Sequence, residues 1–199
     1  MQENRSRRSN DQRSEATRAS LLKAARKLFV EKSYAETATP EIVAEAGVTR
    51  GALYHHFVDK RALLAAVVER ESQSVAGEIE RAAPESLSPR DALVTGGEAF
   101  LDAMNSPGRT RLLLLDGPSV LGRSIMDDIE TRHANRTLKD GLATAIEAGV
   151  LPPLPLEALT AQLAAMYDRA ALAIEAGGSA DDHRAVLKAI IDGLVSRSC

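Results

Sequence analysis

The stretch that most constrains the fold of this chain is TPEIVAEAGVTRGALYHHF, at residues 39–57. Pro40 suits the first turn of a helix, where its missing N–H costs nothing, and Thr39 is placed to cap that helix. Gly47 suits the left-handed conformation that closes a helix. A helix bounded in this way has barely two turns and is unstable unless other segments pack against it. The spacing therefore predicts a short helix, a turn, and a second short helix that begins after Thr49.

The second of these helices has two different faces. The residues that share one face are Leu53, His56 and Phe57, which can bury against the preceding helices together with Val48. The residues on the opposite face are Arg50, Gly51, Tyr54 and His55. The side chains of Arg, Tyr and His can donate hydrogen bonds to phosphates and base edges. The glycine, which has no side chain, lets the backbone approach the duplex closely. The outward face therefore predicts contact with double-stranded DNA.

A short helix, a turn and a second helix form a helix-turn-helix, which lays its second helix in the major groove. The segment TPEIVAEAGVTRGALYHHFVDKRALLAAVV resembles the DNA-binding signature of the TetR family of bacterial transcriptional regulators, and the resemblance covers about residues 16–68. Two positions depart from the family pattern. Val43 stands where Ala is usual, and Val58 stands where a polar residue is common.

The resemblance implies a set of DNA contacts. Phosphate contacts are implied for the hydroxyl-bearing and basic residues, and Arg50 or His55 could also reach a base edge. The full set is Thr39, Thr49, Arg50, Gly51, Tyr54, His55 and Lys60. His55 as a merely solvated side chain stays an alternative, and His56 is expected to be a packed, half-core residue. The arginines of the N-terminal arm can be read as a minor-groove contact or as a solvated tail.

The rest of the chain also reads as helical. Ala and Leu dominate the apolar residues, and no strand pattern longer than four residues is present. We expect an all-α protein of about nine helices, one of them continuous from residue 123 to Gly149 and one ending at Gly117. The predicted units are a disordered basic arm at residues 1–13, a helix-turn-helix domain at 14–60, and an effector-binding and dimerisation domain at 61–199.

The resemblance implies a ligand-responsive repressor that acts as a homodimer on a palindromic operator. A small apolar or amphipathic effector would bind among the central helices, and the candidates for its pocket are Phe100, Met104, Leu112, Leu115, Met126, Met166 and Tyr167. The same residues would also suit an ordinary core. The dimer surface is expected on the last two helices, with apolar stripes at Leu156, Leu159, Leu163 and Met166, and at Val186, Leu187, Ile190, Ile191 and Leu194. Burial of both stripes in the chain's own core is the alternative.

Composition and charge bear on the remaining function classes. Residues 1–60 hold 11 Lys and Arg against 8 Asp and Glu, and residues 61–199 hold 14 against 20, so the helix-turn-helix side is the more basic one. The single cysteine, the polar N-terminus and the lack of a long apolar run favour a cytoplasmic protein without a membrane span. Adjacent histidines lack metal-ligand spacing. His133 and Asp168 form no catalytic pattern, so we expect no metal, cofactor or enzymatic activity. The alternative function is a helical dimeric interaction module that has lost DNA binding.

Overall fold

The polypeptide is built from helices that are joined by short loops. The computed structural model describes residues 2–195, with side chains from residue 11 onward. Those residues form ten helices and no strand: α1 (Gln2–Lys32), α2 (Thr39–Ala46), α3 (Arg50–His56), α4 (Lys60–Ala82), α5 (Pro89–Met104), α6 (109–121), α7 (Arg123–Arg132), α8 (Ala134–Glu147), α9 (Leu156–Glu175) and α10 (Ala180–Val195). The predicted all-α class is confirmed, with one helix more than expected. No helix among them has both the length and the apolar character that a membrane crossing requires.

The first helix starts earlier than the sequence analysis predicts. A disordered arm is predicted over residues 1–13, but the backbone is helical from Gln2. No Gly or Pro occurs between residues 2 and 32, so nothing stops a helix that is nucleated by its buried turns from extending toward the N-terminus. The side chains of Arg5, Arg7 and Arg8 lie outside the described residues, and their contact with DNA stays a prediction.

Local signals set the ends of the short helices. Gly47 closes α2 in the left-handed region, with φ of 65°. The N-cap of α2 is Ala38 rather than Thr39, because the Glu41 carboxylate accepts the Ala38 N–H at 2.9 Å and holds the helix start one residue earlier. At the start of α4, the Asp59 carboxylate accepts the Ala62 N–H at 2.6 Å.

The sixth helix does not end at Gly117 as predicted. An α-helical turn (Arg109–Arg111) leads into a π-helical turn (Leu112–Asp116), and the chain continues as α-helix through Leu121. Gly117 has helical dihedral angles, and a Cβ atom there would lie 2.9 Å from the Met126 sulfur. This glycine therefore permits close packing against α7 instead of terminating the helix.

The predicted single helix from residue 123 to Gly149 is two helices. The break lies at His133, whose φ of −125° and ψ of −103° are not helical. The His133 imidazole lies 2.6 Å from a Glu69 carboxylate oxygen on α4, and the Arg132 guanidinium donates to the other oxygen at 2.6 Å. Contacts with α4 thus stabilise the break between the two helices. No Gly or Pro stands at this position, so the sequence does not predict it.

Two apolar cores lie side by side, and α4 joins the N-terminal helices to the rest. The larger core includes Phe29 of α1, Leu53 of α3, Leu64 of α4 and Leu112 of α6. The smaller core lies among α5, α8, α9 and α10, with Leu142 at its centre. The predicted domain boundary after residue 60 falls at the first turn of α4, and the larger core continues across it.

Candidate functional site

The inward face of α3 holds this helix in place. The Leu53 side chain is fully buried and the Phe57 ring is 4% exposed. Arg18 of α1 places its guanidinium carbon 5.4 Å from the centroid of the Phe57 ring. Because α3 has only seven residues, these contacts with neighbouring helices supply the stability that its length does not.

The outward face of α3 is free of other protein segments. Arg50, Gly51, Tyr54 and His55 are all exposed, and Tyr54 keeps 44% of its surface accessible. The Arg50 guanidinium carbon lies 5.5 Å from the centroid of the Tyr54 ring. A Cβ atom added at Gly51 would approach only the Thr49 hydroxyl, at 3.8 Å. The structure therefore brings these four predicted residues together on one accessible surface, which we call the α3 face.

Of the two predicted threonines, Thr49 adjoins the α3 face and Thr39 lies on α2. Thr49 is the N-cap of α3, and its hydroxyl oxygen accepts the Ala52 N–H at 3.1 Å. The Thr49 O–H itself remains able to donate to a further acceptor. Thr39 is half-buried at the first position of α2.

Lys60 has a structural role that the sequence analysis misses. Its ammonium group donates to the backbone carbonyls of Tyr34 at 2.8 Å and Thr37 at 2.9 Å, and it lies 4.2 Å from the centroid of the Tyr34 ring. Two of its three N–H donors therefore hold the loop between α1 and α2. Only the third is left for the phosphate contact that the resemblance implies.

His56 occupies the half-buried position expected of it. Burial lowers its pKa, and the neighbouring His55 and Arg18 lower it further. The imidazole is therefore neutral near pH 7. Within residues 11–195, no three His, Cys, Asp or Glu side chains group together as a metal site requires.

A buried ion cluster ties α1, α4 and the start of α6 together. Glu71 of α4 accepts from Arg26 at 2.7 Å and from Arg109 at 3.0 Å, and Arg109 also donates to Glu78 at 3.1 Å. Burial alone would raise the pKa of Glu71, but the hydrogen bonds and charges of the two arginines outweigh it and lower that pKa. The sequence gives no signal for this cluster, because its members are up to 83 positions apart.

Arginines also connect α6 with the helix-turn-helix side. Arg61, one residue into α4, donates to the carbonyls of Val120 at 3.1 Å and Leu121 at 2.7 Å. Arg111 donates to the carbonyl of Phe29 in α1. A displacement of α6 would therefore pull on both α1 and the start of α4.

A cavity of about 490 Å³ lies among α4, α5, α8 and α9. This volume is within the range of small-molecule sites. Its apolar wall includes Ile79, Leu87, Leu93, Phe100, Leu138 and Tyr167. The polar part of its lining includes Glu80, Glu85, Asn135, Arg136, Asp140 and Asp168.

The predicted pocket residues do not all meet at this cavity. Phe100 and Tyr167 line it, with ring centroids 5.8 Å apart in an edge-on arrangement. The prediction places five further residues there, and the structure places them elsewhere. Met104, Leu112 and Met126 are buried in the larger core, Leu115 is 48% exposed, and Met166 is half-buried between the two cores. Apolar character alone does not tell a core residue from a cavity residue, because both lie inside the helical bundle.

A glycine on the facing helix leaves the space that the Tyr167 ring occupies. A Cβ atom at Gly97 of α5 would overlap the Tyr167 hydroxyl. Burial, with a smaller contribution from Glu98, raises the pKa of Tyr167 to about 12. The phenol is therefore neutral and packs closely against α5.

The last two helices only partly match the predicted dimer stripes. Leu163, Leu187 and Ile191 are buried in the chain's own core, which corrects their assignment to the dimer surface. Such a stripe marks the face a helix buries, and here the larger side chains point inward. Val186 is 58% exposed. Besides charged and polar residues, the exposed positions include a set of small ones: Ala158, Ala161, Ala165, Ala185, Ala189 and Gly193.

Comparison with known families gives two matches. The model described as bacterial regulatory proteins, tetR family, matches residues 21–67. The model described as tetracyclin repressor-like, C-terminal domain, matches residues 90–196, which is more than half of the chain. The first match contains the whole α3 face, and the second contains most of the cavity.

Individual relatives support the same relationship. The A-factor receptor protein of Streptomyces griseus is 37% identical over 111 residues, which cover 52% of this chain and 38% of that protein. The TetC protein of transposon Tn10 from Escherichia coli is 46% identical over 56 residues, 28% of each chain. The chain thus matches less than half the length of these curated relatives. A crystal structure of a TetR-family transcriptional regulator from Pectobacterium atrosepticum is 32% identical, with a TM-score of 0.73 over 92% of this chain and 96% of that one.

Proposed function

The chain belongs to the TetR family of bacterial regulatory proteins, and from that premise we propose that it is a DNA-binding transcriptional repressor. It acts as a homodimer on a palindromic operator and responds to a small effector. The observation that carries this proposal is the α3 face, where Arg50, Gly51, Tyr54 and His55 are exposed on a helix whose opposite side is fully packed. A folded protein has no structural need to keep a stacked arginine and tyrosine in solvent on a two-turn helix.

The α3 face suits the major groove in its chemistry. Arg50 offers a planar guanidinium for a phosphate or a guanine edge, and stacking on Tyr54 limits its rotamers. Gly51 lets the backbone approach the duplex, since no side chain stands in the way. One α3 face reads only a few base pairs. Two faces about 34–36 Å apart, as two-fold symmetry provides, would read a palindrome.

The outward sides of α9 and α10 support the dimer. The small residues exposed on both helices, together with the exposed Val186, allow helices of a second copy to approach closely and form a four-helix bundle. Ala161→Arg with Ala189→Arg should give a monomer in sedimentation experiments with unchanged helicity. Ala82→Arg, at an exposed position at the end of α4, is the control and should stay dimeric. A monomeric wild type would contradict this part of the proposal.

The effector role rests on the path from the cavity to α3. Ile79 and Glu80 of α4 line the cavity, and the other end of the same helix carries Lys60 and Arg61. A ligand that shifts α4 would act on the α1–α2 loop through Lys60 and on α1 through the Glu71 cluster. Because α1 packs against α3 through Arg18 and Phe57, the position of α3 would change as well. Because the two copies must fit both half-sites at once, a small change in the separation of their α3 faces weakens DNA binding.

The direct test is binding to DNA taken from upstream of the protein's own gene. Fluorescence anisotropy at about 50 mM and about 200 mM salt should show a loss of affinity of at least tenfold, because phosphate contacts release counterions. Arg50→Ala should cost about 1–3 kcal/mol of binding free energy, and Tyr54→Phe should weaken binding by a smaller amount.

The matched control is Arg81→Ala. Arg81 is also exposed, but it lies at the far end of α4, roughly 30 Å along the helix from Lys60. This variant should bind DNA like the wild type. If the wild type shows no salt-dependent binding, or if Arg50→Ala and Tyr54→Phe leave the affinity unchanged, the chain is a helical interaction module and the repressor proposal is wrong.

A further inference from the structure

The cavity carries an excess of negative charge. Within the part of the chain that has described side chains, its lining holds four carboxylates, on Glu80, Glu85, Asp140 and Asp168, and one guanidinium, on Arg136. Arg136 is already paired with Glu80 at 2.6 Å and with Asp140 at 3.4 Å. An anionic ligand would therefore meet more acids than free cations. A cationic ligand would meet two acids, Glu85 and Asp168, that have no ion pair among the described residues.

Asp168 is the innermost of these acids. Glu80, Glu85 and Asp140 are exposed and belong to the rim, whereas Asp168 is half-buried. It lies on α9 directly after Tyr167 and one turn after Ala164, and both of these neighbours also line the cavity. Among the described residues, no hydrogen bond or ion pair to the Asp168 carboxylate is present.

The charged groups around Asp168 do not supply a counterion. Arg123 of α7 attracts the carboxylate weakly, but it is paired with Asp127 at 3.3 Å and its side chain is 88% exposed. Glu130, also on α7, repels the carboxylate. Burial and, to a smaller extent, Glu130 raise the pKa of Asp168 to about 7. An ionised Asp168 is therefore a hydrogen-bond acceptor that no donor within residues 11–195 satisfies.

Much of the remaining cavity lining is apolar. Phe100 and Tyr167 form an edge-on aromatic pair, and Leu93 and Leu138 add aliphatic surface. A ligand that fits this cavity needs an apolar body for these walls. Its polar end would complement the acids and complete the hydrogen bonds of the carboxylate.

On the basis of the proposed effector role of this cavity, we propose that the effector is an amphipathic cation. Its apolar or aromatic body packs against Phe100 and Leu93, and its protonated nitrogen donates to the Asp168 carboxylate. Ligands that carry a phosphate or carboxylate bind poorly, because their charge is placed among four acids whose one arginine is already paired.

Three probes of equal length but different charge test this inference: phenylhexylamine, phenylhexanol and phenylhexanoate. Isothermal titration calorimetry of the full chain at about pH 8 keeps the amine protonated and Asp168 ionised. The amine should bind at least tenfold more tightly than the alcohol, a difference of about 1.4 kcal/mol. The carboxylate should bind most weakly of the three.

Two variants locate the origin of this preference. Asp168→Asn keeps the size of the side chain and removes its charge, so it should reduce the amine's affinity to that of the alcohol and leave the alcohol unchanged. Glu147→Gln removes an exposed carboxylate of α8 that does not line the cavity, and it should bind all three probes like the wild type. Ala164→Leu narrows the cavity and should weaken all three probes.

The outcomes separate this inference from the proposed function. If the alcohol or the carboxylate binds as tightly as the amine, if the preference survives Asp168→Asn, or if no probe binds at millimolar concentration, the cationic class is wrong. DNA affinity is measured in parallel. Tight, Asp168-dependent amine binding that leaves DNA affinity unchanged would support the ligand class and contradict the effector role of the cavity.

Discussion

The α3 face and the cavity differ in whether the same residues serve both packing and proposed binding. On α3, the packed residues Leu53 and Phe57 are different from the residues that face solvent, so stability and proposed binding belong to separate side chains. In the cavity, Tyr167 is at once a buried core residue and part of the lining. We therefore expect truncation of the exposed Arg50 and Tyr54 side chains to change DNA binding with little effect on stability, and substitutions around the cavity to change ligand binding and stability together.

The buried ion cluster that joins these two regions should give the largest effect on stability. Glu71→Ala leaves the Arg109 guanidinium, which is 6% exposed, without its main counterion. Breaking a buried pair in this way costs about 3–5 kcal/mol. Urea denaturation should show this loss in the free energy of unfolding. Glu45→Ala, which breaks the exposed pair with Lys27, is the control and should stay close to the wild type. Equal effects of the two variants would mean that the cluster does not hold the regions together.

The two sides of α3 can be tested against each other. Leu53→Ala should lower the free energy of unfolding by about 2–5 kcal/mol, because it leaves a gap in the larger core. Tyr54→Ala should change it by no more than about 0.5 kcal/mol, since the ring faces solvent. Both variants should weaken DNA binding, the first through the position of α3 and the second through a lost contact. A strongly destabilised Tyr54→Ala would contradict the separation of the two faces.

The same substitution at two glycines should have effects of opposite sign. Gly97→Ala places a methyl group against the Tyr167 hydroxyl and should cost about 1–3 kcal/mol of stability. Gly51→Ala meets open space within α3 and should raise stability by about 0.4–1 kcal/mol. Thermal unfolding measures both changes. Gly51→Ala should nevertheless bind DNA more weakly, because the methyl group stands where the duplex approaches. If both variants lose stability, the prediction that the two glycines differ in the space around them is wrong.

The smallest expected effect, taken over one pH unit, is the pH dependence that Asp168 contributes. The folded chain holds the Asp168 proton up to about pH 7, whereas the unfolded chain releases it near the ordinary value of 3.8. Between these values the folded state binds more protons, so this group lowers the free energy of unfolding as pH rises from about 4 to about 7. The loss is at most about 1.4 kcal/mol for each pH unit in this range. Subtracting the pH profile of Asp168→Asn from that of the wild type isolates this contribution. A difference that rises with pH would contradict the environment assigned to Asp168.

The sequence predicted the helix-turn-helix almost residue by residue. Gly47 closes α2 and α3 begins after Thr49 as expected, and the outward set on α3 is the predicted one. Helix ends depend on φ preferences and on hydrogen bonds that span three or four positions, so the information lies within one short segment. The spacing of Leu53 and Phe57 likewise decides which side of α3 is buried.

Other features depend on contacts between distant segments. The carbonyls of Tyr34 and Thr37 give Lys60 its structural role, and Glu69 stabilises the break at His133. The half-buried Arg26 and the buried Arg109 meet Glu71 only after three helices have packed.

The sequence by itself determined the all-helical class, the helix-turn-helix and the outward set on α3, because periodicity and capping act over a few residues. Only the tertiary structure decided which apolar residues form a core and which line the cavity. Four helices from distant parts of the chain enclose that space, and their facing sides follow from how whole helices pack. Hydropathy is the same for a side chain that fills a core and for one that borders a cavity, so the pattern alone carries no information on the difference.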